Sequence, residues 1–208
     1  MIVSVVVTNY NYGYHLGRCL RSLLDQSLAS EHYEVIVVDD HSTDLSRTII
    51  QAFEGDVRPV YNQANLGVGA ACNIGIRKAR GRFVVRVDAD DYVHRDFLHI
   101  TQLYLTLNSG ICDAVAVDYH QVDENEKIIA RGDASSDPIA CGILYKLDVL
   151  ARLGLYNDQL RINEDSDLRR RFLNAGYRLH HLQMPLYRYK KHSGSMTANA
   201  ARAQAGGQ

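Results

Sequence analysis

Phe83-Val84-Val85-Arg86-Val87-Asp88-Ala89-Asp90-Asp91 is the stretch on which the reading of this chain turns. An apolar run ends in three carboxylates within four positions. That pattern reads as a buried strand delivering acids to its C-terminal edge. Carboxylates there need a compensating charge, and a divalent cation held between them and a phosphorylated ligand is the usual one. In an open α/β sheet the crevice outside the carboxyl ends of the strands is also where ligands bind. A solvated acidic turn is the plain alternative, because Asp serves turn chemistry often.

Upstream, short apolar runs alternate with helical spacing. Ile2 to Val7, Val35 to Val38, Val57 to Tyr61 and Phe83 to Val87 read as strands. Leu16, Cys19, Leu20, Leu23 and Leu24 recur at helical spacing; Leu45 to Phe53 is helical with Asp44 as N-cap, and Gly67 to Arg80 is a helix ended by Gly81. This βαβαβαβ order implies an α/β fold with a mostly parallel central sheet and helices on both faces. Downstream, Phe97 to Leu107 reads as a helix, Ala114 to Tyr119 as a strand and Gln121 to Arg131 as a hairpin. Ser135 to Cys141 is loop. Tyr145 to Leu153 and Glu164 to Ala175 are helices stopped by Gly154 and Gly176, and Arg178 to Tyr189 holds one or two strands. No repeat or linker interrupts the chain. One domain over residues 1–195 is expected, with a nucleotide-binding half at 1–92 and an acceptor-facing half at 93–195. The Ala, Gly and Gln-rich stretch 196–208 is expected to be a loose tail.

The 208 residues suffice for one sizeable core. A formal net charge of −1 gives no global field for nucleic acid or an anionic surface. The N-terminus reads as a first strand rather than a signal peptide. No run approaches the roughly 18 apolar residues of a membrane span, so membrane contact is expected to be peripheral at most. Cys19, Cys72, Cys112 and Cys141 form no C-x-x-C pair and read as free core thiols in a reducing compartment.

Four further features converge with the acidic cluster. Val7-Thr8-Asn9-Tyr10-Asn11-Tyr12 closes the first strand, where backbone and hydroxyl groups could hold a nucleotide and Tyr10 could lie against its base. In Asp39-Asp40-His41-Ser42-Thr43-Asp44, Asp40 is assigned a ligand role and Asp44 the helix cap. The glycines of Asn65-Leu66-Gly67-Val68-Gly69 permit close backbone approach, although neither the dinucleotide fingerprint nor a phosphate loop is present. In Asn163-Glu164-Asp165-Ser166-Asp167, Asn163 is a good N-cap, and mutual repulsion of the acids calls for a cation or substrate in the site. Downstream, His192 leaves the sheet beside Lys190 and Lys191.

The chain resembles the family 2 glycosyltransferases, which have the GT-A fold. The resemblance is carried by Val6-Val7-Thr8-Asn9-Tyr10-Asn11, Leu23-Leu24-Asp25-Gln26-Ser27, Val37-Val38-Asp39-Asp40-His41-Ser42-Thr43-Asp44, Asn65-Leu66-Gly67 and Ala79-Arg80-Gly81. Val87-Asp88-Ala89-Asp90-Asp91, Glu164-Asp165-Ser166-Asp167-Leu168 and His192-Ser193-Gly194-Ser195 complete it. The resemblance implies inverting transfer of a sugar from a nucleotide-diphosphate sugar, UDP being the commonest base, to a glycan or lipid-linked hydroxyl acceptor. It implies Thr8, Asn9, Tyr10, Asp40, Asn65, Gly67, Asp88, Ala89 and Asp90 as nucleotide-sugar contacts. Asp90 or Asp91 would ligate Mn²⁺ or Mg²⁺, with His192 completing the metal or diphosphate site. Asp165 would be the general base and Glu164 its fallback. A cytoplasmic location and bacterial polysaccharide synthesis go with the family. Cys72 stands where many relatives carry a basic residue, and Arg86 sits where an apolar one is expected; Arg86 is expected to pair with an acid or reach the donor. Two other readings remain. A sugar nucleotidyltransferase would carry a Gly-rich basic loop after the first strand, and Thr8 to Tyr12 has neither feature. A nucleotide-sugar-binding protein without turnover would have no need of Asp165.

Overall fold

The structure, a computed structural model, describes residues 1–160 and 162–192. Ser193 to Ser195 and the stretch 196–208 lie outside the described residues. The first half runs β1 (Val3–Asn9), α1 (Gly13–Leu24), a 3-10 turn (Ser30–His32), β2 (Tyr33–Asp39), α2 (Ser46–Ala52), β3 (Arg58–Tyr61), α3 (Val68–Lys78) and β4 (Phe83–Asp88). The second half runs β5 (Tyr92–Val93), α4 (Phe97–Leu107), β6 (Ala114–Val122), β7 (Ile128–Gly132), β8 (Ile143–Lys146), α5 (Leu147–Leu153), α6 (Glu164–Asn174) and β9 (Leu179–Lys190). All strands share one sheet in the order β3-β2-β1-β4-β8-β6-β9-β5, with β7 paired to β6.

The β3-β2-β1-β4 block is parallel, as the alternating pattern implies. β1, β2 and β4 are mostly apolar and buried because both of their faces are covered, whereas β3 is a half-exposed edge strand. Period-two alternation sorts their side chains. Val3, Val5, Val7, Val35, Val37, Phe83, Val85 and Val87 enter a core with Leu16, Leu20 and Leu23 of α1 and Phe97, Leu98 and Leu105 of α4. Val6, Ile36, Val38 and Val84 enter a second core with Ala71, Cys72 and Ile76 of α3 and Leu168 and Phe172 of α6. All four cysteines are free and buried, as expected.

Beyond β4 the sheet becomes mixed. β8 inserts antiparallel between β4 and β6, β9 runs parallel to β6, and β5 closes the edge antiparallel to β9. Two of these strands, β5 and β8, were not expected, and Tyr145, read into a helix, lies in β8. The hairpin of β6 and β7 stands as read.

Three local expectations change. α2 has Leu45 at its N-cap; the Asp44 carboxylate accepts from the Ser46 N–H at 2.9 Å and from the Gly13 N–H at 2.8 Å, so it ties two helix starts together. α3 ends at an extended Ala79 and Gly81 is not its cap. Gly81 instead runs against β1, where a Cβ would lie 2.6 Å from the Ser4 nitrogen. Asn163 occupies the N-cap of α6 in a left-handed conformation and makes no side-chain cap bond. Gly154 and Gly176 do follow α5 and α6 with positive φ, as read.

Close approach at Gly75 seats α3 on the sheet, since a Cβ there would meet Val6 Cγ1 at 2.4 Å and Val38 Cγ2 at 3.1 Å. Both neighbours are β-branched and fully buried, so they cannot swing aside. Gly75→Ala should therefore lower the urea midpoint. Overpacking that costs toward the upper end of about 1–3 kcal/mol outweighs the roughly 1 kcal/mol gained in helix propensity. An unchanged or higher midpoint would refute this packing account.

Candidate active-site cleft

A cleft of about 320 Å³ opens where β1, β2 and β4 end. Thr8, Asn9, Tyr10, Asp40, Asn65, Gly67, Asp88, Ala89 and Asp90, every residue singled out for the nucleotide-sugar, line it together. Tyr12, Val68, Ala71, Arg86 and Tyr189 complete its wall. Parallel pairing causes this convergence, because strands in register end side by side: Thr8 lies opposite Val38 and Asp88.

Several acids at these strand ends are consumed by the loops around them. The Asp40 carboxylate accepts from Asn62 Nδ2 at 2.8 Å, the Leu66 N–H at 3.0 Å and the Gly67 N–H at 2.8 Å. It is 3% exposed, so its first effect is to fold the 65–67 loop against the cleft. Asp39 takes Asn9 Nδ2 at 2.9 Å and Arg47 Nε at 3.3 Å. Because Asp39 only accepts, the Asn9 amide must turn its NH₂ toward it. Asn9 Oδ1 is then left buried with no donor among the described residues. Such an unspent acceptor in a cleft wall suits a ligand N–H.

The Asp88 to Asp91 segment splits three ways. Asp88 is held by Arg86 through Nε at 2.7 Å and Nη2 at 3.1 Å, a bidentate pair. The third nitrogen of Arg86, Nη1, reaches Glu164 at 2.9 Å. Burial opposes the charge of Arg86 most strongly, but its ionisable neighbours, Asp88 first and then Tyr156 and Cys72, together hold the guanidinium pKa well above its ordinary value. Asp90 faces the cleft and His192 Nε2 lies 3.0 Å from its Oδ2. The His192 ring packs at 4.6 Å from His15 and edge-on to Tyr12.

Asp91 turns away. It is 2% exposed and accepts from the Tyr187 hydroxyl at 2.8 Å and the Lys190 N–H at 2.8 Å. Burial, then the charges of Asp90 and Asp88, push its pKa well above the usual carboxylate range. Of the two neighbouring acids, Asp90 is the one whose carboxylate lines the cleft.

The acids of α6 separate likewise. Glu164 is buried against Arg86, and Asp167 pairs with Arg170 and Arg171 at 2.7 Å each. Arginines thus relieve the charge of Glu164 and Asp167, and Asp165 is left without such a pair among the described residues. Asp165 does not line the cleft; it is half-buried beside a small recess with Tyr145, Tyr156 and Arg169.

Asp90 on the cleft wall adjoins His192 at 3.0 Å, a carboxylate and an imidazole of the kinds that a divalent ion takes. Two other clusters fit less well. In Asp88, Asp91 and Cys141, the Asp91 oxygens are spent on β9 and burial raises the Cys141 thiol pKa, which disfavours the thiolate a metal needs. In Asp118, Asp133 and His181, Arg131 already occupies Asp118 at 2.8 Å.

Comparison with known proteins bears on the family and the fold. The family model described as Glycosyl transferase family 2 matches residues 4–184. An uncharacterized glycosyltransferase of Nostoc sp. is 31% identical over 179 residues, which is 74% of this chain and 53% of that protein. Thus the chain spans about half the length of this curated relative. Among solved structures, Staphylococcus aureus TarS 1–349 in complex with UDP superposes with a TM-score of 0.79 at 22% identity, over 93% of this chain and 61% of that one. The mannosyltransferase PcManGT of Pyrobaculum calidifontis, in complex with GDP-Man and Mn²⁺, gives 0.76 at 22% identity, over 98% and 60%. The fold is that of the GT-A transferases, as the resemblance implied.

Removing Arg86 strands two carboxylates, one of them buried. Arg86→Met should cost about 3–5 kcal/mol in urea denaturation, and adding Glu164→Gln should restore part of it. Strict additivity of the two substitutions would mean that the Arg86–Glu164 contact carries no stability.

Proposed function

The chain belongs to glycosyl transferase family 2, and from that membership we propose an inverting glycosyltransferase that moves a sugar from a UDP-sugar to a hydroxyl on a glycan or lipid-linked acceptor. One observation carries the reading: the residues chosen for the donor all meet in a single cleft at the ends of parallel strands. Relatives add to it. TarS has been solved with UDP and PcManGT with GDP-Man and Mn²⁺. UDP is therefore the first donor nucleotide to test, with GDP and dTDP beside it.

In this reading Thr8, Asn9 and Tyr10 meet the base and ribose, with Asn9 Oδ1 taking a ring N–H. Asp40 acts through the 65–67 loop that it anchors. Asp88, oriented by Arg86, lies near the ribose. Asp90 and His192 hold Mn²⁺ or Mg²⁺. A bound divalent ion would supply positive charge to the departing nucleoside diphosphate, so no general acid is required. An alcohol is a poor nucleophile until a carboxylate takes its proton during attack. Asp165 is assigned that role; Glu164 is committed to Arg86 and serves as its anchor. Residues 1–92 are assigned to the donor and 93–195 to the acceptor. No helix among the described residues is long and apolar enough to cross a membrane.

Calorimetric titration of UDP, GDP and dTDP, each with and without Mn²⁺, tests the donor site. One nucleotide should bind in a metal-dependent way, and Asp90→Ala should remove the metal-dependent part. Absence of binding by all three to folded protein overturns the proposal. Asp165→Asn should spare donor binding and cut turnover by about 10²–10⁴. Normal turnover in that variant would remove Asp165 as the base.

A further inference from the structure

A second recess, about 730 Å³, lies between α1 and the sheet edge made by β5 and β9. Arg18 and Arg21 come from α1, Arg95 follows β5 and Arg188 comes from β9. With a chain net charge of −1, this is a local concentration of cations and no reflection of the whole.

The groove is built and not merely decorated. The Arg18 guanidinium stacks on the Tyr92 ring at 3.9 Å and meets Glu126 of the β6–β7 turn at 2.5 Å. Its Nε is buried without an acceptor among the described residues. Arg188 is half-buried, and its Nη1 donates to the carbonyls of Pro185 at 2.5 Å and Tyr187 at 3.3 Å. Those acceptors are neutral and leave its charge unbalanced. Arg21 and Arg95 are exposed, and neither side chain has a partner among the described residues. Glu126 offsets Arg18, and Asp25 is the acid among the lining residues. Arg21, Arg95 and Arg188 therefore outnumber it.

Guanidinium forks match phosphate oxygens two at a time, and several of them around one hollow make a phosphate site. Its position adds to this: Tyr92 lines the groove and follows Asp91 directly in the chain, so the groove adjoins the loop that carries Asp90. We propose that the groove between α1 and the β5–β9 edge binds phosphate esters. Two carriers share that chemistry, a soluble phosphorylated molecule and the head groups of an anionic lipid surface. The proposal stands apart from the donor reading, because none of the residues lining the groove lines the cleft.

The test compares the wild-type chain with Arg21→Glu/Arg95→Glu. Both residues are exposed and lie outside the donor machinery, so the melting temperature and the UDP titration should not change. The soluble probe is glycerol 3-phosphate, read by thermophoresis with and without UDP and Mn²⁺. The surface probe is co-sedimentation with phosphatidylglycerol–phosphatidylcholine vesicles against vesicles of phosphatidylcholine alone. Wild type should bind one probe or both, and charge reversal should weaken that binding about tenfold or more, with raised salt acting in the same direction. Binding of vesicles alone assigns a lipid surface; binding of glycerol 3-phosphate assigns a soluble ester. Failure of both probes, or equal binding by the variant, overturns the proposal. If phosphate binding survives while no nucleotide binds, the donor reading falls and the groove stands.

Discussion

Arg86 holds two carboxylates that belong to opposite halves of the chain, and the cleft keeps its shape through that contact. A single arginine inside an apolar strand would be costly. It is tolerated because strand alternation points Arg86 to the same face as Val84, where α6 begins, and Asp88 follows two residues later on that face. Its guanidinium grips Asp88 with two nitrogens and Glu164 with a third. A lysine could satisfy the charge but not that fork. The bridge fixes the start of α6 relative to the end of β4, and with it the distance between the acids of the cleft and Asp165.

Counting what each carboxylate already holds separates scaffold from chemistry. Loops leaving parallel strands expose main-chain N–H groups that need acceptors. Asp40 takes those of Leu66 and Gly67, Asp44 those of Gly13 and Ser46, and Asp91 that of Lys190. Asp39 is fully buried among Asn9, Ser42 and Arg47. Among the acids of the motifs at 39–44, 88–91 and 164–167, two keep capacity. Asp90 is engaged only by His192, and Asp165 has no hydrogen-bond partner among the described residues. Function is assigned to the acids that the fold leaves unused.

This distinction explains what could be read from the chain alone. Three of the four parallel strands, β1, β2 and β4, were legible because burial on both faces makes each a largely apolar, β-branched run. The cleft was legible because Asp and Asn gather where those runs end. β5 and β8 were missed because two to four residues define no period of their own; they exist by pairing with Arg188 and Tyr187 of β9 and with Val84 and Val85 of β4. The spending of the acids was hidden for a related reason. Arg86 and Glu164 are 78 residues apart, and Asp91 and Lys190 are 99. Composition could have pointed to Tyr12 and Tyr189 as wall residues only weakly, since tyrosines are frequent throughout the chain.

Asp90 and Asp91 show how one strand settles both outcomes. β9 crosses behind the acidic loop with Tyr187 and Lys190 turned to Asp91, and their two bonds are what allow that carboxyl to be buried. Two residues beyond Lys190 the same chain brings His192 to Asp90 on the cleft side. Loss of the Asp91 contacts would loosen the end of β9 at Lys190, two residues before His192, although β6 still pairs with the strand. A defect in metal dependence after changing Asp91 is therefore no evidence of ligation unless the Asp90–His192 contact is shown to survive. The buried acid and the cleft-facing acid are coupled through backbone, and the adjacent letters in the sequence describe one carboxylate that supports β9 and one that faces the cleft.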